Sequence, residues 1–89
     1  MQKIMFDVGE RRHVQLRIHA AQDAPFRIKS ALWELMRGNV LEASGDCEID
    51  EHIIDAYIEA PPDRTTYTLR VTYVINDETL VEQLGLVVT

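Results

Sequence analysis

The sequence predicts an all-β domain of the sandwich type, and three observations lead to that prediction. Apolar residues alternate with polar ones over long stretches, such as 14–18 and 67–75, and a period of two is typical of strands with one buried face. β-Branched and aromatic residues fill these stretches, as strands favour. Turn-forming residues separate the stretches at a spacing of about 8–12 residues, which is typical of sandwiches and small barrels.

Seven antiparallel strands follow from this alternation. Their predicted ranges are 2–8, 12–20, 26–36, 39–49, 52–59, 65–75 and 78–88. The predicted turns contain Gly9-Glu10, Gln22-Asp23-Ala24-Pro25, Gly38-Asn39, Pro61-Pro62-Asp63-Arg64 and Asn76-Asp77. Asn76-Asp77 predicts a two-residue hairpin loop, and the two prolines force a crossover. A bend or bulge is expected within the fourth strand at Gly45-Asp46.

The third strand changes phase. Its apolar residues before the change are Phe26 and Ile28, and those after it, on the opposite parity, are Ala31, Trp33 and Leu35. A one-residue β-bulge near Lys29-Ser30 would bring both sets to the core. A helix over 28–36 stays as an alternative because the apolar residues there also have helical spacing. The flanking Pro25 and Gly38 favour the bulged strand.

A chain of 89 residues predicts a single domain spanning 1–89 with a modest core. The predicted core consists of Phe6, Val14, Leu16, Ile18, Ile28, Trp33, Leu35, Ile54, Ile58, Tyr67, Leu69, Val71 and Tyr73.

The composition predicts a cytoplasmic protein. Its single cysteine excludes an intramolecular disulfide. The N-terminal segment lacks an apolar run and reaches an acid at Asp7, so no signal peptide is expected. No apolar run approaches the ~18–20 residues that span a membrane, and no membrane partner is expected.

Charge is distributed unevenly along the chain. The net charge of −6 argues against a nucleic-acid partner. Residues 1–37 carry seven Lys or Arg and four acids, whereas residues 38–89 carry two and eleven. In one interpretation the halves neutralise each other across paired strands, with Gln15, Arg17 and His19 facing Asp55, Tyr57 and Glu59. In the other, a basic end and an acidic end dock head to tail between copies.

No catalytic, cofactor or metal site is predicted, and the expectation is that the protein is not an enzyme. Phosphate-binding loops, nucleophile elbows and Cys-x-x-Cys pairs are all missing from the sequence. Cys47 lies between Asp46 and Glu48, which raise a thiol pKa instead of activating it. Its position in the alternating pattern of the strand predicts that the Cys47 side chain is buried and fills space in the core.

Three polar clusters have plain structural interpretations. The side chains of Asp50-Glu51-His52 would project to alternate faces of a strand, so the three could not bind one metal ion well. The segment is predicted to be a solvated turn. Asp46, Glu48 and Asp50 share one strand face and could bind calcium through their oxygens. The glycine-centred loop that wraps a calcium ion is missing from this segment. His13 and His19 do not share a face with a carboxylate pair. Arg11-Arg12-His13 could meet a phosphate, but it has no interleaved aromatic residues on an acidic protein.

Residues 63–69 carry a resemblance to a known family. Asp63-Arg64-Thr65-Thr66-Tyr67-Thr68-Leu69 resembles the Asp-x-Gly-x-Tyr-x-Cys tyrosine corner of immunoglobulin-like domains. The resemblance implies that the Tyr67 hydroxyl bonds to backbone upstream and that Trp33 is the core tryptophan. Leu69 and Leu16 stand where that family has cysteines, and Thr65 replaces the glycine. An immunoglobulin-like sandwich without a disulfide is therefore expected.

The stretch from Phe26 to Val88 is similar to small accessory domains of bacteriophage and prophage structural gene clusters. The similar segments are Phe26-x-Ile28-x-Ser30-Ala31, Glu42-Ala43-Ser44-Gly45, Tyr67-Thr68-Leu69-Arg70-Val71 and Asp77-Glu78-Thr79-Leu80-Val81-Glu82. The resemblance implies a structural or assembly module that self-associates or binds a protein, as a component of a phage-like particle would. The alternatives are a protein- or ligand-binding module that uses the end loops 21–25, 36–39 and 60–65, and a non-catalytic subunit of an enzyme.

Overall fold

Eight strands form two packed sheets in the computed structural model, which describes residues 2–19 and 25–89. The strands are β1 (Lys3–Phe6), β2 (Arg11–Arg17), β3 (Ile28–Arg37), β4 (Val40–Asp46), β5 (Glu48–Asp50), β6 (Ile53–Glu59), β7 (Thr66–Ile75) and β8 (Glu78–Val88). One sheet has the order β1-β8-β7-β3-β4 and the other β2-β6-β5. The predicted all-β sandwich is confirmed. The predicted loop at 21–25 falls almost entirely outside the described residues.

The strand count differs from the prediction in the fourth strand. It divides into β4 and β5, with Cys47 between them, because the chain leaves the five-stranded sheet after Asp46 and enters the three-stranded sheet at Glu48. The bend lies next to the predicted position at Gly45-Asp46. A second difference is that β1 pairs parallel to β8, with Lys3 opposite Gly85, whereas all strands were expected to be antiparallel.

The phase change in β3 is a β-bulge, as predicted. The register with β7 shifts by one residue between Ile28, which faces Ile75, and Ser30, which faces Val74. The bulge lets both Ile28 and Leu35 reach the core. The helical alternative for 28–36 is wrong, and within the described part of the chain no helix is long and apolar enough to cross a membrane.

Both predicted tight turns are present. Arg37 faces Val40 across a two-residue loop in which Gly38 has a φ of 59°. Ile75 faces Glu78 across the Asn76-Asp77 loop, and Asn76 has a φ of 56°. Glycine and asparagine tolerate this left-handed region better than other residues do.

The core lies between the two sheets and is entirely apolar among the described residues. Eleven of the thirteen predicted core residues are buried, whereas Leu16 and Trp33 pack against the core but stay partly exposed. The buried residues that the sequence did not identify are Ala56, Ala60, Leu84, Leu86 and Val88. They continue the inward parity of β6, where the prediction named only Ile54 and Ile58, and of β8, where it named no core residue.

At the β6–β7 crossover, the Tyr67 ring is buried and its hydroxyl bonds to backbone upstream, as expected. Tyr67 is 1% exposed, and its hydroxyl donates to the carbonyl oxygen of Asp63 at 3.4 Å. Burial raises the pKa of this phenol. Arg37 lies 5.8 Å from the ring centroid and donates to the Asp63 carboxylate at 2.8 Å. The arginine therefore fixes the β3–β4 turn against the crossover at the same end of the sandwich.

Candidate functional site

An open groove of about 510 Å³ lies between the two sheets on the side of β4 and β6. Its lining residues are Arg11, Trp33, Glu42, Ala43, Tyr57, Glu59, Ala60, Pro61 and Pro62. The groove exists because β5 is short: its three residues pair only with Ile53–Asp55 of β6. Beyond Asp55, no described strand covers this edge of β6. The volume falls within the ~300–1,000 Å³ range of ligand pockets.

Trp33 forms the floor of this groove and is the main correction to the predicted core. Its inner-face neighbour on β4 is Gly45, and a Cβ built there would lie 2.9 Å from the indole Nε1. The indole therefore occupies the space that a side chain at position 45 would need. The ring rests on the edge strand and remains half-buried, because the three-stranded sheet does not extend over it.

The backbone of β6 presents unpaired groups to the groove. At the two ends of the β2–β6 pair, Ile18 N–H donates to the carbonyl oxygen of His52 and Ala60 N–H donates to the carbonyl oxygen of Glu10, each at 2.8 Å. In an antiparallel ladder the groups that face one neighbour alternate along the strand. The backbone N–H and C=O groups of the even-numbered residues of β6 therefore point toward β2. The backbone groups of Tyr57 and Glu59 point away from β2, toward the groove. No described strand pairs with those two residues on that side.

Acidic side chains border the groove. Glu42 forms an ion pair with Arg37, with 2.9 Å between Oε1 and Nη2, and Glu59 forms one with Arg11 at 3.0 Å between the same atoms. Below them, Asp46, Glu48 and Asp55 line a smaller depression of about 350 Å³ together with His13 and Tyr57. This side of the molecule therefore combines an aromatic floor, free backbone groups and negative charge.

Side chains of β2 and β6 pair across the sheet, but not with the residues expected: Arg17 faces Ile53, and the acids of β6 contact Arg11, His13 and Gln15. These strands pair with Gln15 opposite Asp55. His13 Nδ1 donates to Asp55 Oδ1 at 2.7 Å, and Gln15 Nε2 donates to Asp55 Oδ2 at 3.0 Å. These bonds, with Gln15 contributing most, hold the pKa of Asp55 below its usual value. Arg11 and Glu59 form the second cross-strand ion pair.

The basic cluster at the start of β2 makes contacts within the fold. Arg12 donates to the Met5 carbonyl and lies over the Phe6 ring at 4.3 Å from its centroid. Its two neighbours in the cluster face the acids of β6. The three side chains therefore diverge and do not form one phosphate-binding surface.

Cys47 is half-buried where the chain passes between the sheets, and its N–H donates to the Ala31 carbonyl at 3.0 Å. Burial, followed by the charges of Asp46 and Asp55, raises the pKa of this thiol to about 11. The direction agrees with the sequence prediction, although burial and not the neighbouring acids is the main cause. A thiol with this pKa is a poor nucleophile near pH 7.

The acidic segment around β5 forms a turn, as predicted. Glu51 has a φ of 54° in the β5–β6 turn. The His52 ring stacks on Phe26 with centroids 4.0 Å apart, and its Nε2 donates to the Phe26 carbonyl at 3.2 Å. Within residues 2–19 and 25–89, no three His, Cys, Asp or Glu side chains converge as the ligands of a metal ion would.

The four edge strands are sorted by charge. β1 and β2 carry four Lys or Arg and no acid, whereas β4 and β5 carry four acids and no Lys or Arg. β1 and β2 lie on one side of the sandwich, where Arg12 joins them. β4 and β5 lie on the other side, where Cys47 joins them. The molecule therefore has a basic edge and an acidic edge on opposite sides.

Comparisons with protein-family models, with curated proteins and with solved structures found no match to this chain.

Proposed function

We propose that this protein is a non-enzymatic structural module of the immunoglobulin-like type, whose copies associate head to tail. One observation carries the proposal: the basic edge formed by β1 and β2 lies opposite the acidic edge formed by β4 and β5. The tyrosine corner at Tyr67 supports the immunoglobulin-like assignment.

Opposite charge on opposite sides favours a heterologous contact. When one copy's acidic edge meets the next copy's basic edge, both new edges stay available for further copies. Such contacts close into rings or grow into filaments. Two basic edges, or two acidic edges, would repel each other across a symmetric contact. A repeating arrangement of this kind is what a component of a phage-like particle would need.

The cross-strand pairs do not remove this asymmetry. Arg11 and His13 are engaged by acids of β6. Asp46, Glu48 and Asp50 on the acidic edge make no ion pair with any described residue. These three carboxylates remain exposed and can attract the basic edge of another copy.

The test is the absolute mass in solution by light scattering, at low and high salt. We expect oligomers of the 10.2 kDa chain at low salt. They should dissociate at 1 M salt, where the Debye length falls to about 3 Å. Two charge-reversed variants sharpen the test: Lys3→Glu with Arg17→Glu on the basic edge, and Asp46→Lys with Glu48→Lys on the acidic edge.

Each variant alone should be monomeric, because its two reversals cancel the four like charges of one edge and remove the attraction to the next copy. An equal mixture should form a dimer and stop there, since each copy contributes one intact edge and the two altered edges carry no net charge. A wild-type protein that stays monomeric at low salt at every concentration would refute the head-to-tail contact. A mixture that grows beyond the dimer would also contradict it.

The alternative is a binding module that uses its end loops. The Arg37–Asp63 bond of 2.8 Å supports it, because it joins the loops at 36–39 and 60–65 into one surface. A monomer that co-purifies with a stoichiometric partner, and loses it in an Arg37→Ala variant, would favour this alternative.

A further inference from the structure

We propose that the Trp33 groove is a strand-addition site, which binds an extended segment of another protein that alternates basic and apolar residues. This inference goes beyond head-to-tail assembly and does not depend on it. The segment would pair with the free edge of β6 and cover the exposed part of the Trp33 ring.

The free backbone groups of β6 determine what kind of molecule binds. Tyr57 and Glu59 each offer an N–H donor and a C=O acceptor on the groove side, in the alternating pattern of a strand edge. Another extended backbone satisfies such a row of groups, and main-chain hydrogen bonds supply affinity in this mode of peptide recognition. The natural direction is antiparallel to β6, because β5 already runs that way on the same edge.

Side-chain alternation along β6 fixes the phase of the added strand. Ile58 is buried and points inward, whereas Tyr57 and Glu59 are exposed and point outward. A residue opposite Ile58 would therefore enter the groove and meet Trp33 and Ala43. Residues opposite Tyr57 and Glu59 would point to solvent.

Charge complementarity selects the outward residues of the segment. Glu42 and Glu59 border the groove, each paired with an arginine, whereas Asp46 and Glu48 in the adjoining depression make no ion pair with a described residue. A segment with Lys or Arg at its outward positions would gain attraction at the end that meets the depression, whereas an acidic segment would be repelled there. The occupant is therefore an extended peptide with apolar residues facing Trp33 and basic residues facing solvent.

Trp33 provides the readout, because it is the single tryptophan of the chain. The probe is an acetylated and amidated peptide of five residues, in which lysine at positions one, three and five alternates with isoleucine. It is titrated into the Lys3→Glu, Arg17→Glu protein, whose changes lie on the opposite side from the groove. We expect a saturable blue shift of the Trp33 emission as the peptide excludes water from the ring.

Backbone methylation separates strand addition from simple adhesion. In an antiparallel pair, the lysine residues opposite Tyr57 and Glu59 direct their own N–H groups toward β6. N-Methylation of the lysines should therefore abolish binding, and N-methylation of the isoleucines should leave it nearly unchanged. Equal binding of both methylated peptides, or loss only with methylated isoleucines, would overturn the proposal.

Two matched variants localise the site on β4. Ala43→Phe places a ring in the groove and should weaken peptide binding at least tenfold. Val40→Phe adds the same ring to an exposed position on the same strand that does not line the groove, and it should bind as the parent does. Equal affinity of the two variants would refute the assignment. So would a Trp33 emission of the Lys3→Glu, Arg17→Glu protein that shifts with its own concentration alone, because a second copy would then occupy the groove.

Discussion

Gly45 controls the position of Trp33, and the substitution Gly45→Ala tests that relationship. An added Cβ would lie 2.9 Å from Nε1 and 3.0 Å from both Cε2 and Cζ2 of the indole. Ordinary contacts between such atoms are about 3.5–4.0 Å long, so the ring would have to move by about 0.5–1 Å. Overpacking of this kind costs about 1–3 kcal/mol.

The sign of the effect is diagnostic. Alanine in place of glycine within a strand normally stabilises by about 0.5–1 kcal/mol, which offsets part of the overpacking. We therefore expect Gly45→Ala to lower the free energy of unfolding by about 0.5–2 kcal/mol, in contrast to the gain at an uncrowded glycine. In a domain of this size the melting temperature should fall by about 4–8 °C for each kcal/mol.

Urea denaturation followed by circular dichroism gives the free energy, and the Trp33 emission reports whether the ring has moved toward water. The control is the same substitution in a Trp33→Phe background, where the smaller ring leaves room for the Cβ. There, Gly45→Ala should be neutral or stabilising, and the difference between the two backgrounds is the coupling energy. If Gly45→Ala stabilised the protein that retains Trp33 and left the Trp33 emission unchanged, the placement of the indole would be refuted.

Two further predictions concern hydrogen bonds. Tyr67→Phe removes the donor to the Asp63 carbonyl and should cost about 0.5–1.5 kcal/mol in urea denaturation; an unchanged stability would mean that the corner bond contributes nothing. Asp55→Asn tests the lowered pKa that Gln15 and His13 produce. A carboxyl with a lowered folded-state pKa stabilises above its unfolded value of about 3.9 and loses that contribution as the pH falls. The wild type should therefore lose more stability than Asp55→Asn between about pH 5 and pH 2, and parallel pH profiles would contradict the assignment.

The sequence predicted a strand, a β-bulge and a hairpin, because each of these depends on a few neighbouring residues. The alternation along 67–75 identified β7, the opposite parities on either side of Lys29-Ser30 identified the bulge, and Asn76-Asp77 identified a hairpin. Each of these features depends on side-chain direction or on backbone conformation at one place in the chain. The all-β sandwich follows from them.

The groove could not be predicted because it depends on how far one sheet extends over the other. Trp33 has the parity of a core residue, and the sequence does not indicate that β5 stops after three residues. The small residues Ala43 and Gly45 on the neighbouring strand were the available signal, because they leave space for an indole. The sorting of charge onto opposite edges also required the strand order, although the imbalance along the chain was already visible.

The parallel pairing of β1 with β8 has a consequence for how the chain folds. The two-residue turn at Asn76-Asp77 lets β7 and β8 meet almost without loss of chain entropy. Lys3 and Gly85, by contrast, close a loop that spans nearly the whole sequence. Closing a loop about forty times longer costs about 3 kcal/mol more at room temperature. The pairing of β1 and the burial of Phe6 repay that cost only once β8 is in place, so this strand should be the last to join the sheet.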